Sequence, residues 1–450
     1  MRPALPLPLA LALLTAPLAR AADVPLVVVS IDGLHPGYLL EADRYKLRVP
    51  HLRRLLAEGS HASAVTGVFP SVTYPSHTTL VTGVSPARHG IAANTSFDPL
   101  GRNLGGWLWY AEDIRVPTLW DAAAGAGLVT AAVDWPVTVG ARLTHNIVQY
   151  WRTKDADAPD DAKLKRALST PGLLAEAERA LGPYPAGNAY TVAEDRRRAP
   201  FNVFLLESRR PRLHLAYFSG LDHEQHESGP GSPETLAVLE EIDGLLGDVR
   251  AAAERAGGGR ALVAVVSDHG HDRTERELRL NEALRRARLV FLDAKGAVTD
   301  WKAFAWSNGG SAAVYLREAG DEATRQAVAD VLAGLAAGPD PPVERVLGPA
   351  EARAAGAFPD AAFVVAARPG VRVSGRMEGE VLQPALPAGT HGFLPAHRDM
   401  DAAFLVAGPG VPRGRDLGRI DMRDVAPTLA GLLGLALPTA EGRDVLAGAR

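Results

Sequence analysis

The chain has 450 residues, of which 47% are hydrophobic, a formal net charge of −4 at pH 7 and no cysteine. The absence of cysteine excludes disulfides, thiolate metal sites and a cysteine nucleophile. The slightly acidic charge balance provides no global basic field that would attract nucleic acid or anionic lipid. A chain of this length and composition can bury a large core.

The first 22 residues are interpreted as a secretory signal. Met1-Arg2 precedes an apolar run at 4–18, and the segment ends in Ala19-Arg20-Ala21-Ala22. This A-x-A pattern predicts cleavage near Ala21/Ala22. The apolar run is too short and too interrupted by proline for a transmembrane helix, and no later segment reaches spanning length. We therefore expect a secreted or periplasmic protein without a membrane span.

Strands and helices alternate along the remaining chain. Unbroken apolar runs predict buried strands at 26–31, 213–218, 261–266 and 402–407, and helical patterns lie at 117–126, 233–256 and 424–434. This alternation predicts an α/β fold with a doubly wound, mostly parallel sheet flanked by helices. Between 281 and 385 the pattern changes to shorter pieces, including a strand-like run at 312–316. We predict an inserted cap at 281–385 and a catalytic core formed by 23–280 and 386–450.

Several polar segments are assigned to the surface. The charged stretch at 152–170 favours a solvated loop, and Arg196-Arg197-Arg198 favours a surface turn because three arginines are too few for a nucleic-acid arm. Lys154, Glu224 and Gln225 are likewise interpreted as solvated. Nothing in the sequence indicates an oligomeric state.

Acidic residues and histidines collect where the predicted strands end. The side chains after a strand, or in the last case in a loop ahead of one, are Asp32, Asp222, His226, Asp268, His269 and His391. The carboxyl ends of parallel strands share one edge of the sheet, so these groups should converge. A single aspartate after a strand is usually a turn former, but several uncompensated carboxylates at one buried edge would repel each other. The set therefore predicts a divalent metal, and carboxylate and imidazole ligands suit zinc, manganese or iron.

The segment 69–80 combines hydroxyl residues with a proline on each side. Pro75 restrains the residue before it, and a helix is predicted to begin at Ser76. Thr73 would then lie beside a helix N-terminus, where backbone N–H groups favour an anion. A metal-activated hydroxyl is a competent nucleophile at neutral pH, although this segment taken alone favours an ordinary loop-to-helix turn.

Six short motifs occur in one order along the chain. They are Ser30-Ile31-Asp32-Gly33; Pro70-Ser71-Val72-Thr73-Tyr74-Pro75-Ser76-His77; Thr82-Gly83 followed by His89-Gly90-Ile91 and Asn94; Asp222-x3-His226 with Gly229-Pro230; Ser267-Asp268-His269-Gly270; and Gly389-Thr390-His391-Gly392. Together they resemble the nucleotide pyrophosphatase/phosphodiesterase family of the alkaline phosphatase superfamily. The resemblance spans about residues 25–435 and is weakest at 140–200 and 280–385. It implies an alkaline-phosphatase-like core with two zinc ions.

The resemblance also implies a role for each matching residue. The ligands of one ion would be Asp222, His226 and His391, and those of the other Asp32, Asp268, His269 and the Thr73 hydroxyl. Thr73 would attack phosphorus in line and form a phospho-threonine intermediate, while Asn94 and the Thr73 backbone N–H bind a non-bridging oxygen. The ion at Asp222 would stabilise the leaving alkoxide and then activate water. Phosphoryl transfer needs positioning and charge neutralisation, which two ions about 4 Å apart supply.

Some positions refine or depart from this pattern. Tyr74 follows the nucleophile and either stacks on a leaving-group base or packs the loop, and Trp135 of a Trp-Pro pair is assigned to the wall of the substrate pocket. His223 is expected either to support the ligands or to face substrate. Ser76 stands where asparagine is common, and His271 where methionine often follows the Ser-Asp-His-Gly motif.

These observations predict an exported two-metal phosphodiesterase or nucleotide pyrophosphatase with a small-molecule diester or nucleotide substrate. The same core could instead act on phosphomonoesters, phosphonates or lipid-type phosphodiesters. Monoesterases of the superfamily place a cation against the extra phosphate charge, and none is evident near Thr73 or Asn94. A non-catalytic exported metal-binding protein is the more distant alternative, since metal storage requires neither of these two residues.

Overall fold

The computed structural model describes residues 24–103, 106–155 and 157–448. The predicted signal segment at 1–22 lies outside the described residues. Within these ranges, no helix combines the length and the apolar character needed to cross a membrane.

The strands and helices of the described ranges have the following bounds. The strands are β1 (Leu26–Ile31), β2 (Ser60–His61), β3 (Ala64–Thr66), β4 (Thr130–Val133), β5 (His145–Ile147), β6 (Leu213–Phe218), β7 (Leu262–Val266), β8 (Asp272–Arg279), β9 (Val290–Leu292), β10 (Val298–Trp301), β11 (Ala303–Ser307), β12 (Ser311–Leu316), β13 (Val343–Leu347), β14 (Phe363–Ala367), β15 (Val371–Ser374), β16 (Leu382–Thr390), β17 (Phe404–Ala407), β18 (Arg415–Asp416) and β19 (Arg419–Asp421). The α-helices are α1 (Gly37–Leu40), α2 (Pro50–Glu58), α3 (Thr73–Thr82), α4 (Pro86–His89), α5 (Leu119–Gly125), α6 (Pro159–Leu168), α7 (Leu173–Leu181), α8 (Val192–Arg209), α9 (Gly220–Ser228), α10 (Pro233–Ala256), α11 (Leu280–Arg286), α12 (Glu322–Leu335), α13 (Pro349–Ala354) and α14 (Val425–Leu432).

An eight-stranded sheet organises the fold, in the order β18-β2-β17-β7-β1-β6-β4-β5. β7, β1, β6, β4 and β5 run parallel, whereas β17 is antiparallel to both of its neighbours. Leu26 and Val28 of β1 face one apolar core and Val27 and Val29 face another, so the strand is buried on both sides. The predicted α/β class with a mostly parallel sheet is confirmed.

The predicted elements are present, with some differences at their ends. The strands at 26–31 and 213–218 and the helix at 233–256 match β1, β6 and α10, whereas β7, β17, α5 and α14 are shorter than predicted. The predicted helix start at Ser76 is wrong because α3 begins at Thr73. Pro75 therefore lies in the first turn, where its missing N–H removes no intrahelical hydrogen bond.

Two segments assigned to solvent are structured instead. Residues 159–168 of the predicted loop form α6, and the three arginines lie within α8. Arg198 is fully buried, 2.8 Å from Glu194 and 3.2 Å from Asp195. Its burial is tolerated because these carboxylates, with Asp134 at 3.5 Å, neutralise its charge.

A second group of strands lies between β7 and β17 of the main sheet in sequence. β8 pairs in parallel with β15 and antiparallel with β16, and β11, β12, β14 and β13 form a separate antiparallel sheet. The strand predicted at 312–316 is part of β12. The two smaller sheets share an apolar core of their own. In the β8–β16 pair Thr390 is opposite Asp272, which places His271 and His391 side by side.

Candidate active site

The strand-end residues converge at the carboxyl edge of the main sheet. Asp32 directly follows β1, Asp268 follows β7, and Asp222 lies in α9 after β6. Because β17 runs antiparallel, it is the chain ahead of this strand that reaches the same edge. His391 belongs to this chain ahead of β17, and it therefore meets the aspartates, which come after β1, β6 and β7.

Asp32 and Asp268 each place one carboxylate oxygen close to His269 Nε2, so that three potential metal-binding atoms lie together. His269 Nε2 lies 3.5 Å from Asp32 Oδ1 and 3.2 Å from Asp268 Oδ2. All three atoms are buried and have no hydrogen-bond partner among the described residues. The other carboxylate oxygens are fixed, since the Tyr217 hydroxyl donates to Asp32 Oδ2 and the Gly33 N–H donates to Asp268 Oδ1. Buried polar atoms without a partner cost free energy unless a ligand such as a metal ion binds them.

The pKa values of this group have the same cause. Burial and the neighbouring charges of Asp268 and Asp222 raise the pKa of Asp32 well above its usual value. Burial also raises the pKa of Asp268 to about 7 and lowers that of His269 well below its usual value. Two carboxyl groups and an imidazole are therefore held together in an apolar environment that opposes charge on each of them. A divalent cation would offset both the repulsion and the burial, and the donor set fits one.

Asp222, His226, His271 and His391 form a second group, whose potential ligand atoms all lie within 4.8 Å of one another. Asp222 Oδ1 lies 2.7 Å from His271 Nε2, 3.5 Å from His226 Nε2 and 3.7 Å from His391 Nε2. Although burial opposes ionisation, these histidines hold the pKa of Asp222 well below its usual value. This group also fits a divalent metal.

Backbone carbonyls orient the three histidines that were predicted as ligands. The Nδ1–H of His226 donates to Gly389 O at 2.9 Å, and that of His391 donates to Ser71 O at 3.0 Å. The Nδ1–H of His269 donates to the Gly270 carbonyl at 3.2 Å. In each case Nε2 is left as the atom that faces the site, which is the usual arrangement of a metal-binding histidine.

Thr73 is the first residue of α3 and lies on a cavity of about 270 Å³, which the carboxylates of Asp32 and Asp222 also line. The Tyr74 N–H donates to Asn94 Oδ1 at 2.8 Å, which leaves the Asn94 amide nitrogen as a donor toward a ligand. His77 Nδ1–H donates to the Thr73 carbonyl at 2.8 Å and so fixes the first turn of the helix. The arrangement presents a hydroxyl and an amide donor beside the two metal-ligand groups.

Aromatic residues form another wall of this cavity. Trp107 meets Tyr74 edge-on with ring centroids 5.1 Å apart, and Tyr190 lies tilted against Trp107 at 6.0 Å. The Tyr74 hydroxyl donates to Gln149 Oε1. Gln149 Nε2 and the Tyr190 hydroxyl are buried on this wall without a hydrogen-bond partner among the described residues. The wall therefore offers ring faces and unpaired polar atoms to a bound molecule.

The sequence model for type I phosphodiesterase/nucleotide pyrophosphatase matches residues 26–394, most of the chain. The chain belongs to this family. Its members are hydrolytic enzymes, in agreement with the predicted enzyme class.

Individual relatives of the family give the extent of the similarity. Human ectonucleotide pyrophosphatase/phosphodiesterase family member 5 is 29% identical over 277 residues, covering 59% of this chain and 49% of that protein. Mouse bis(5'-adenosyl)-triphosphatase enpp4 is 26% identical over 248 residues, covering 54% and 46%. The chain spans about half the length of the curated relatives it matches. The solved structure of the human member 5 covers 93% of this chain and 97% of its own, with a TM-score of 0.66 and 22% identity, which confirms the alkaline-phosphatase-like fold.

The structure places several residues differently from the sequence-based expectation. Trp135 is fully buried and packs against His77 at 5.2 Å, behind the site and not among the residues that line the cavity. Lys154, assigned to solvent, lines the cavity, and so does His223. Gln225, also assigned to solvent, is buried and donates to the Gly33 carbonyl. Of the aromatic wall, Tyr74 was predicted, whereas Trp107 and Tyr190 were missed because they come from separate segments that only the tertiary fold brings to Thr73.

Proposed function

We propose that this chain is a two-metal phosphodiesterase or nucleotide pyrophosphatase in which Thr73 is the nucleophile. The observation that carries the proposal is the convergence of unpaired donors from Asp32, Asp268 and His269 beside the second donor group. Thr73 and Asn94, which a metal-storage protein does not need, lie on the same cavity.

The proposed metal ligands follow the two donor groups. One ion would be held by Asp32, Asp268, His269 and the Thr73 hydroxyl, and the other by Asp222, His226 and His391. We favour zinc, although manganese and iron suit the same donors. When bound, such ions neutralise phosphoryl charge and activate hydroxyl nucleophiles.

The chain's own groups would perform the following steps. The Thr73 hydroxyl would lose its proton and attack phosphorus, the bond to the leaving alkoxide or phosphate oxygen would break as that oxygen gains a proton, and water would then hydrolyse the phospho-threonine. The Asn94 amide donates to a non-bridging oxygen as negative charge develops, together with the backbone N–H at the start of α3. His77 holds the Thr73 carbonyl and thereby fixes the direction of the attacking hydroxyl.

We propose a nucleotide-like substrate because of the aromatic wall. A base stacked on Trp107 or Tyr190 would leave its phosphate near Thr73, and Gln149 and Tyr190 offer polar atoms to the base or sugar. One relative is named for bis(5'-adenosyl)-triphosphatase activity. Murine member 5, in a threonine-to-alanine form described as inactive, was solved in complex with AMP.

Lys154 favours a second candidate function. This residue is exposed and lines the same cavity as Thr73 and Asn94, where a cation would suit the extra charge of a phosphomonoester or phosphonate. The predicted cap at 281–385, by contrast, contributes none of the described residues that line this cavity.

The test compares the zinc-loaded protein on bis(4-nitrophenyl) phosphate and 4-nitrophenyl phosphate, with and without a chelator. A kcat/KM at least a hundredfold higher for the diester, lost on chelation, would support the proposal. A monoester preference that Lys154→Ala removes would support the second candidate. Turnover that survives complete removal of metal would refute both.

We also propose that the chain is exported and cleaved near Ala21/Ala22. N-terminal sequencing of protein recovered from a bacterial periplasm would test this. A mature chain that still begins at Met1 would contradict it.

A further inference from the structure

His271 is placed at the second donor group by strand pairing. It precedes β8 and His391 follows β16, and these strands are antiparallel with Thr390 opposite Asp272. The two histidines thus directly adjoin the last pair of this ladder, and their ring centroids lie 5.1 Å apart. The contact is fixed by backbone register and not by a chance rotamer.

The His271 ring packs closely from every side. It is 4% exposed, its centroid is 4.8 Å from that of His226, and Nε2 lies 2.7 Å from Asp222 Oδ1. A Cβ at position 33 would come within 3.1 Å of the His271 ring, and Gly33 has a φ of +72°, so the neighbouring backbone is shaped to admit the imidazole.

The distances within this group suit a single ion. Two ligands about 2.0–2.1 Å from a tetrahedral zinc lie on the order of 3.3 Å apart. The separations from Asp222 Oδ1 to Nε2 of the three histidines, 2.7, 3.5 and 3.7 Å, bracket that value. His271 Nε2 is at hydrogen-bond distance from Asp222 Oδ1, and shared binding of one ion would require these two atoms to move apart by about 0.6 Å.

We propose that His271 is a fourth protein ligand of the ion at Asp222, an inference that rests on the two-metal function proposed above. Its Nε2 would bind together with Asp222, His226 and His391, in place of the methionine that often occupies this position in the family. Three imidazoles and one carboxylate make this group richer in nitrogen than the group around Asp32. We expect the ion at Asp222 to bind more tightly than it would with three ligands.

The test follows metal binding, not turnover. Metal-free full-length mature protein is titrated with Co²⁺ while the visible absorption is recorded, for the wild type, His271→Met, His271→Gln and the control His223→Met. His223 lies in the same helix as two of the ligands and lines the cavity but is absent from the donor group. We expect the wild type to bind two equivalents of Co²⁺. In both His271 variants the second equivalent should bind with an at least tenfold higher Kd and a changed absorption band. His223→Met should titrate like the wild type.

Each other outcome has a defined meaning. Weaker binding with an unchanged band would show that His271 only orients Asp222, and unchanged binding would show that it has no role; either overturns the proposal. Failure of the wild type to bind two ions would instead refute the two-metal function itself. Should both variants fail to fold, X-ray absorption of the wild type with two bound zinc ions decides the question. A total of four imidazole ligands for the two ions is expected, and a total of three would refute the assignment of His271.

Discussion

The imidazole rings of His269 and His391 stack with their centroids 3.7 Å apart and their planes within 11°. His269 faces Asp32 and Asp268, whereas His391 faces Asp222. The stack therefore joins the two donor groups, which belong to one continuous site. Burial lowers the pKa of His391 to about 3 and that of His269 well below its usual value.

Thr73→Ala is expected to lower kcat by at least about 10³-fold, because it removes the attacking oxygen and leaves the other donors in place. Zinc stoichiometry should be unchanged. The measurement is steady-state hydrolysis, with acid-quenched wild-type protein analysed for phospho-threonine by mass spectrometry. Wild-type activity in the variant would refute the proposed nucleophile.

Asn94→Asp separates two roles of one side chain. The carboxylate can still accept from the Tyr74 N–H, as Asn94 Oδ1 does at 2.8 Å, but it cannot donate to a phosphoryl oxygen. We expect kcat/KM to fall by about 10²–10³-fold in both Asn94→Asp and Asn94→Ala. Full activity in the aspartate variant would show that Asn94 only supports the loop.

Trp107→Ala should weaken recognition of a nucleoside. Stacking of a base on an aromatic ring contributes about 1–3 kcal/mol, so kcat/KM for a nucleoside 5'-(4-nitrophenyl) phosphate should fall about 5- to 150-fold. Methyl 4-nitrophenyl phosphate, with the same leaving group and no base, should be little affected, and Trp107→Phe should retain most of the activity. Equal losses on both substrates would contradict stacking at Trp107.

Arg198→Met is expected to destabilise the fold by about 3–5 kcal/mol, because it leaves Asp134, Glu194 and Asp195 buried without their cation. The matched control is Arg196→Met in the same helix. Arg196 is exposed and pairs with Glu241, so its loss should cost no more than about 1 kcal/mol. Urea unfolding of both variants gives the comparison, and similar losses would contradict a buried ionic cluster.

Lys165 gives a pH dependence that is independent of metal. It is buried with Nζ donating to the Pro185 carbonyl at 2.9 Å, and burial lowers its pKa to about 8. The unfolded lysine titrates near about 10.4, so between these values the unfolded chain holds more protons and stability rises with pH. Any advantage of Lys165→Met over wild type should therefore be greatest at pH 8 and below and shrink toward pH 10.

Urea unfolding of wild type and Lys165→Met at pH 7, 8, 9 and 10 checks this trend. Lys163→Met is the control, since Lys163 lies on the same helix and its ion pair with Asp160 is exposed. A difference in unfolding free energy between Lys165→Met and wild type that stays constant over this range would contradict the lowered pKa.

The sequence alone determined the class of fold and the set of chemical groups. Apolar runs such as 26–31 and 213–218 are buried on both faces, so an unbroken run of apolar residues is enough to predict each strand. The ordered motifs likewise predicted Asp32, Thr73 and His391 as site residues, because each motif is a short run of sequence, and the structure places all three on one cavity.

Only the tertiary structure decided which groups touch. The antiparallel direction of β17, the pairing of β8 with β16 that sets His271 beside His391, and the placement of Trp107 and Lys154 on the cavity all depend on contacts between segments far apart in sequence. The burial of Arg198 is of the same kind: a run of arginines is polar by composition, and only the carboxylates that fold around it make an interior position favourable. The local sequence pattern indicates whether a residue favours a strand, a helix or solvent, whereas long-range packing determines which charged or hydrogen-bonding partners it contacts.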